Sequence, residues 1–184
     1  NSRVVFLEEV NNMTVMNGKS EGFTFYGVLS EINVARNLYY LACPRPECKN
    51  KGVTQTEGAG SYICPTCRNM VNEPVPRYAF SARLSDFTGA AYFSILGEEP
   101  GAILVGCSAK DWKDETDGEE EKEKRAKILP RFFTQYKIKA RAKSENYNNE
   151  ERVKLYVNSL TEIDYAEAAK FYASEIRRYQ NKNR

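Results

Sequence analysis

A two-residue alternation of apolar and polar positions dominates this chain. From Gly22 to Ile32, Phe23, Phe25, Gly27 and Leu29 alternate with Thr24, Tyr26, Val28 and Ser30, which predicts a strand with one buried face. Leu38 to Cys43 reads as a second, aromatic-rich strand. From Arg77 to Ser85, Tyr78, Phe80, Ala82 and Leu84 form one face; a turn at Asp86–Gly89 then leads into a strand from Ala91 to Leu96. The clearest period runs from Thr134 to Lys143, where Tyr136, Ile138, Ala140 and Ala142 oppose Lys137, Lys139, Arg141 and Lys143. A turn at Asn146-Tyr147-Asn148-Asn149 precedes the last strand, Arg152 to Leu160, in which Val153, Leu155 and Val157 alternate with Arg152, Lys154 and Tyr156. Residues 1 to 21 are weakly periodic, and Val4 to Val10 fits a short strand or a turn of helix.

Helical spacing appears in three places. Pro100 to Cys107 holds the apolar run Ala102 to Val105, a buried helical segment. Trp112 to Pro130 is charged and helix-permissive, and Pro130 should end it. From Asp164, which can cap a helix with Glu167 closing a capping box, Tyr165, Ala168, Ala169, Tyr172, Ile176 and Tyr179 recur every three or four residues as one apolar stripe over 164–181. Strands, then helix, then two more strands is the order of a five-stranded OB barrel with its helix between strands three and four. That predicts an all-β core with helices, although two-residue patterning alone fits many small β folds. The length of 184 residues suits one core with a small satellite, and 1–184 reads as a single domain. The chain opens at Asn1 without an initiator Met, as a piece of a longer protein would.

The satellite is marked by cysteines. Cys43-x4-Cys48 and Cys64-x2-Cys67 lie in a segment, 43–76, rich in Gly, Pro, Asn and Lys, a composition for loops held by something other than a core. Thiolates in two close pairs match the tetrahedral demand of zinc, and four sulfurs leave no open position, so the site is expected to be structural and to hold one Zn2+. Two disulfides are the competing reading, but nothing in the chain signals secretion. Cys107 follows an apolar run and reads as a buried thiol.

Charge changes the picture less than its distribution does. The formal net charge is +2, yet Asp111 to Lys127 carries eight acidic and five basic residues, a net of −3, so the remainder carries +5. There is no histidine, which excludes His-based triads, Cys–His dyads and HExxH zinc hydrolysis. No acidic metal cluster marks a nuclease, so a binding module is expected and not an enzyme. The cationic row Lys137, Lys139, Arg141 and Lys143, with Arg152 and Lys154 on the next strand and Arg77 and Arg83 earlier, lies among Tyr39, Tyr40, Tyr92, Tyr147 and Tyr156. Cations along phosphates and rings on bases hold a single strand of nucleic acid. The same charges also suit a solvated outer sheet face, and Tyr92 also suits a core.

The stretch from Tyr40 to Arg184 resembles the C-terminal DNA-binding domain of the replication protein A large subunit. The resemblance rests on Tyr40-Leu41-Ala42-Cys43-Pro44 before the cysteine knuckle, Asp86-Phe87, Ala102 to Leu104, and above all Glu145 to Val157 running into Asp164-Tyr165. It implies single-stranded DNA as ligand, with Tyr92 in the place of a stacking tryptophan, Tyr147 as a DNA-contacting tyrosine, and Lys139, Arg141 and Lys143 as a basic row. It also implies a C-terminal helix that bundles with helices of two smaller OB-fold subunits in a nuclear heterotrimer serving DNA replication and repair. Phe171, off the main stripe, would then need a second surface to cover it. The charged insert 111–127 departs from the pattern and suggests an alternative, a telomerase-associated or telomere-bound paralogue; an assembly module with minor DNA contact is the other.

Overall fold

The computed structural model describes residues 3–16, 18–58, 60–147 and 150–182; of Tyr147 and Glu151 only the backbone is described. The strands are β1 (Ser20–Ile32), β2 (Tyr39–Ala42), β3 (Thr54–Gln55), β4 (Tyr62–Ile63), β5 (Met70–Val71), β6 (Val75–Ser85), β7 (Ala90–Leu96), β8 (Gln135–Tyr147) and β9 (Glu150–Glu162). The helices are α1 (Leu7–Asn11), α2 (Glu98–Val105), α3 (Ala109–Thr116), α4 (Glu121–Ile128) and α5 (Tyr165–Lys182). It is a sheet-dominated fold with helices. β1 pairs antiparallel with β8 over Ser20–Val28, then with β6 from Val28 to Ile32, and β6 pairs with β7, β7 in parallel with β9, and β9 with β8. The pairings therefore run in a ring, β1–β8–β9–β7–β6 and back to β1, while β3, β4 and β5 form a separate small sheet.

Alternation explains the ring's interior. Phe23, Phe25, Leu29, Tyr78, Leu84, Phe93, Ile95, Ile138 and Ala142 are all buried in one cluster. β1 departs from the expected one-sided pattern, because Thr24 and Tyr26 on its other face are also buried, at 2% and 5% exposure. Two segments cover that face. Residues 3–5 lie along β1, with Thr24 N–H donating to the Arg3 carbonyl (2.8 Å) and Val5 N–H to the Thr24 carbonyl (2.9 Å), and α5 sets Phe171 and Tyr172 against the Tyr26 ring at 5.8 and 6.0 Å. The Val4–Val10 stretch splits accordingly, Val4 bridging to Thr24 and Leu7 onward forming α1.

The charged insert is not one helix. Gly118, at φ +76°, breaks it after α3 in a left-handed turn that disfavours other residues, and Glu120 N–H, donating to Glu123 Oε2 at 2.7 Å, restarts it as α4. Trp112 and Ile128 are buried, so the hairpin presents its acids, apart from the half-buried Glu119, to solvent and its few apolar groups to the core. α2 packs closely on β6. A Cβ on Gly101 would lie 2.4 Å from Tyr78 ring atoms, and Tyr78 is fully buried. Gly101→Ala is therefore expected to destabilise the chain by about 1–3 kcal/mol through overpacking, measured as the shift of a urea unfolding midpoint. At α5, Asp164 Oδ1 accepts from the N–H groups of Ala166 (2.9 Å) and Glu167 (3.1 Å), as a cap should. Glu167 does not reach back to close a capping box; its carboxylate pairs with Lys137 at 2.6 Å.

Candidate metal centre and nucleic-acid face

Each cysteine pair sits on a tight loop. Cys43 N–H donates to the Lys51 carbonyl (2.8 Å) and Lys51 N–H to the Cys48 carbonyl (3.0 Å), with Lys49 and Asn50 in left-handed backbone. Cys64 N–H donates to the Asn69 carbonyl (3.1 Å) and Arg68 N–H to the Cys64 carbonyl (2.8 Å), with Arg68 left-handed. The four cysteines are free thiols whose sulfurs lie within 4.8 Å of one another. Zn–S bonds of about 2.3 Å in a tetrahedron separate sulfurs by about 3.8 Å, so this donor set fits a metal ion that prefers thiolates. The environment already favours thiolate at two corners, Cys64, lowered first by the Cys67 backbone amide, and Cys67. The Asn69 backbone amide, helped by the Arg45 guanidinium 3.1 Å from Sγ, brings Cys67 down to about 6. Burial pushes Cys48 up to about 12, a cost that a bound cation would remove. Arg45 lies between Cys43 and Cys48 in sequence, and only the fold shows that it serves Cys67. Cys107 is half-buried and accepts the Tyr78 hydroxyl on its backbone carbonyl at 3.0 Å.

The outward side chains of the ring form a continuous path. Arg141 pairs across from Tyr156, and Tyr156 from Ser94. Two residues before Ser94, Tyr92 points outward at 58% exposure and pairs across from Arg83, which in turn pairs across from Glu31. The Tyr92 hydroxyl donates to Glu31 Oε2 at 3.0 Å, a bond that raises the phenol above its ordinary value. The core alternative for Tyr92 is thus set aside by its exposure.

The basic residues are not equivalent. Lys137 is held under α5 by Glu167. Lys143 and Lys154 share Glu145, at 3.3 and 3.1 Å, and the Tyr156 hydroxyl donates to the same carboxylate at 2.8 Å. These donors, Tyr156 first, hold Glu145 down to about 2. Arg141 lies 5.0 Å over the Tyr156 ring and hydrogen-bonds Asn158, and Arg152 pairs with Glu150 at 2.7 Å. Lys139 and Arg83 are exposed and carry no ion pair among the described residues. Lys139 borders the covered part of β1, across from Thr24. Tyr147 stands at the end of β8, across from Glu150, but its side chain, with Asn148 and Asn149 of the expected turn, lies outside the described residues. Glu31 and Glu145 were not singled out from sequence, since an isolated acid in a strand carries no local signal.

The apolar stripe of α5 is only partly covered by its own chain. Ala168 is buried and Phe171 and Tyr172 are half-buried against the chain's own Phe6, Tyr26 and Phe87. Phe171 therefore needs no second surface, contrary to expectation. Tyr165 (72%), Ile176 (58%) and Tyr179 (73%) are exposed, and so is Ala169.

Residues 23–172 match the model of the replication factor-A C-terminal domain. The chain belongs to this family. Among its relatives, a 70 kDa DNA-binding subunit of replication protein A from Arabidopsis thaliana is 31% identical over 137 residues, 72% of this chain and 21% of that protein. Replication factor A protein 1 of Schizosaccharomyces pombe is 26% identical over 155 residues, 83% of this chain and 25% of that protein. The chain thus spans about a fifth to a quarter of the length of these relatives. A chain of a replication protein A heterotrimer solved bound to single-stranded DNA superposes with a TM-score of 0.82 at 26% identity, over 97% of this chain and 40% of that one. A chain from yeast replication protein A bound to single-stranded DNA, at 20% identity, shares the fold with a TM-score of 0.77 over 97% of this chain and 98% of that one. The Arabidopsis relative is named a DNA-binding subunit, in line with the expected binding module.

Proposed function

We propose that this chain is a single-stranded-DNA-binding domain of a replication protein A-like large subunit. In this reading the ring of strands is a five-stranded OB barrel, residues 43–76 are a ribbon holding one structural zinc, and α5 serves assembly with two smaller OB-fold subunits in a nuclear heterotrimer. The observation that carries it is the outward path Arg141–Tyr156–Ser94–Tyr92–Arg83, where a half-exposed ring stands between two guanidinium groups. Such a surface takes phosphates at its edges and a base on its ring. The replication names of these relatives favour a role in DNA replication over the telomerase-associated alternative. The exposed positions Tyr165, Ala169, Ile176 and Tyr179 support assembly alongside DNA binding, because the chain's own packing on Ala168, Phe171 and Tyr172 leaves them uncovered.

Fluorescence anisotropy with an oligo-dT strand tests the DNA reading. Tyr92→Ala is expected to weaken binding by about 1–3 kcal/mol, the stacking range of single-strand-binding proteins, this family among them. Lys139→Ala or Arg83→Ala is expected to flatten the slope of log K against log salt, since fewer counterions are released. Wild-type affinity in both Tyr92→Ala and Arg83→Ala would remove this face from consideration. The strand is expected to remain intact after incubation with divalent metal.

A further inference from the structure

A carboxylate on a surface meant for a polyanion requires an explanation, and Glu31 has been put there by the backbone. β1 pairs Leu29 with Leu84 and Glu31 with Arg83, so Ser30 is an extra residue on β1, a β-bulge. Bulges re-aim side chains, and they concentrate beside functional sites. Without the extra residue, Ser30 would face outward and Glu31 inward. With it, Ile32 returns to the core at 7% exposure and Glu31 stands outside. The bulge is pinned, since Ser30 Oγ donates to the Arg83 carbonyl (3.0 Å) and lies 2.7 Å from Ser85 Oγ. Glu31 Oε2 accepts from the Tyr92 hydroxyl, and Glu31 Oε1 has no partner among the described residues. Arg83, its neighbour across the strand, forms no ion pair with it.

We infer that Glu31 reads guanine on the base stacked at Tyr92. The inference rests on the DNA-binding reading of this face. A carboxylate offers two oxygens, each with two lone pairs, so Oε2 can keep the Tyr92 hydroxyl and still accept a second donor. Guanine alone places two donors side by side on its pairing edge, the N1–H and the N2 amino group. Cytosine and adenine set their amino donor beside a ring-nitrogen acceptor, and thymine flanks one N–H with two carbonyls. Each of these three would press a lone pair against the carboxylate. Arg83 supplies the positive charge that lets a strand approach past Glu31.

The test uses this chain loaded with zinc and a dT oligomer of about 12 nucleotides, within the span one OB fold covers, through which one dG is walked. At its preferred position dG is expected to tighten binding roughly tenfold over dT, as a bidentate base contact does. Deoxyinosine at that position, which lacks only the N2 amino group, should lose most of the gain. Glu31→Gln keeps an acceptor for Tyr92 but turns one oxygen into a donor, and it should bring the dG and dT oligomers to equal affinity. Equal binding of dG and dT oligomers by the wild-type chain overturns the inference while leaving DNA binding intact. A dG preference that survives Glu31→Gln also overturns it, and failure to bind any oligomer overturns both readings.

Discussion

Stripping the metal with a chelator, or replacing Cys64 with Ser, is expected to unfold the 43–76 segment and leave the ring of long strands folded. The segment has almost nothing else to hold it. Its buried residues are Cys43, Cys48, Cys64 and Val71, three of which are candidate ligands, and its sheet is made of two-residue strands. A structural zinc contributes about 10–16 kcal/mol in small zinc modules at neutral pH, far more than such a core supplies. The larger cluster contains none of these residues, so the two parts are expected to melt separately. Hydrogen exchange should show amides of Thr54–Gln55, Tyr62–Ile63 and Met70–Val71 losing protection while those of β6 and β7 within 79–96 keep it. Elemental analysis should find one zinc per chain, and metal-free protein with the same exchange pattern would refute the role.

The second large effect concerns α5, and the structure changes how it must be tested. Truncation after Leu160 looks like a clean removal of a docking element, but it also strips Ala168, Phe171 and Tyr172 from Tyr26 and Phe6. Losing a packed aromatic costs about 3–5 kcal/mol, so the truncated chain should show a lowered thermal midpoint whatever its partners do. Ile176→Glu with Tyr179→Glu alters only exposed positions, along a groove of about 850 Å³ shared with Phe6, Phe87 and Tyr172. This double variant is expected to keep the midpoint and abolish co-purification with the smaller subunits, because two charges in an apolar helix seam are costly to bury. Retained co-purification would show that the seam is not the docking element.

What could be read from sequence followed how local each signal is. Tyr78, Phe80, Ala82 and Leu84 alternate because β6 has one buried face, and the cysteine spacing is local to two loops. Distant segments add what no local pattern carries. Thr24 and Tyr26 looked like a wet face and are dry because residues 3–5 and α5 lie over them. The insert looked like one helix because a lone Gly118 is a weak break, and its backbone turns left-handed there. The bulge at Ser30 leaves the apolar alternation up to Leu29 undisturbed, so the placement of Glu31 is invisible until β1 is paired with β6.

The Asp86 carboxylate ties these distant segments together. Its Oδ1 accepts from the N–H groups of Thr88 (2.7 Å) and Gly89 (3.0 Å), and its Oδ2 from the N–H of Leu7 at 2.8 Å. One side chain thus closes the β6–β7 turn and anchors the start of α1, which brings the Phe6 ring to 5.0 Å from Phe87 and 5.4 Å from Phe171. The N-terminal segment, α5 and the β6–β7 turn therefore share one aromatic knot. Coupling through such a knot would be reciprocal: a partner that bound α5 better in this seated position would also tighten the N-terminal segment on β1, and loosening residues 3–11 would weaken that partner's binding.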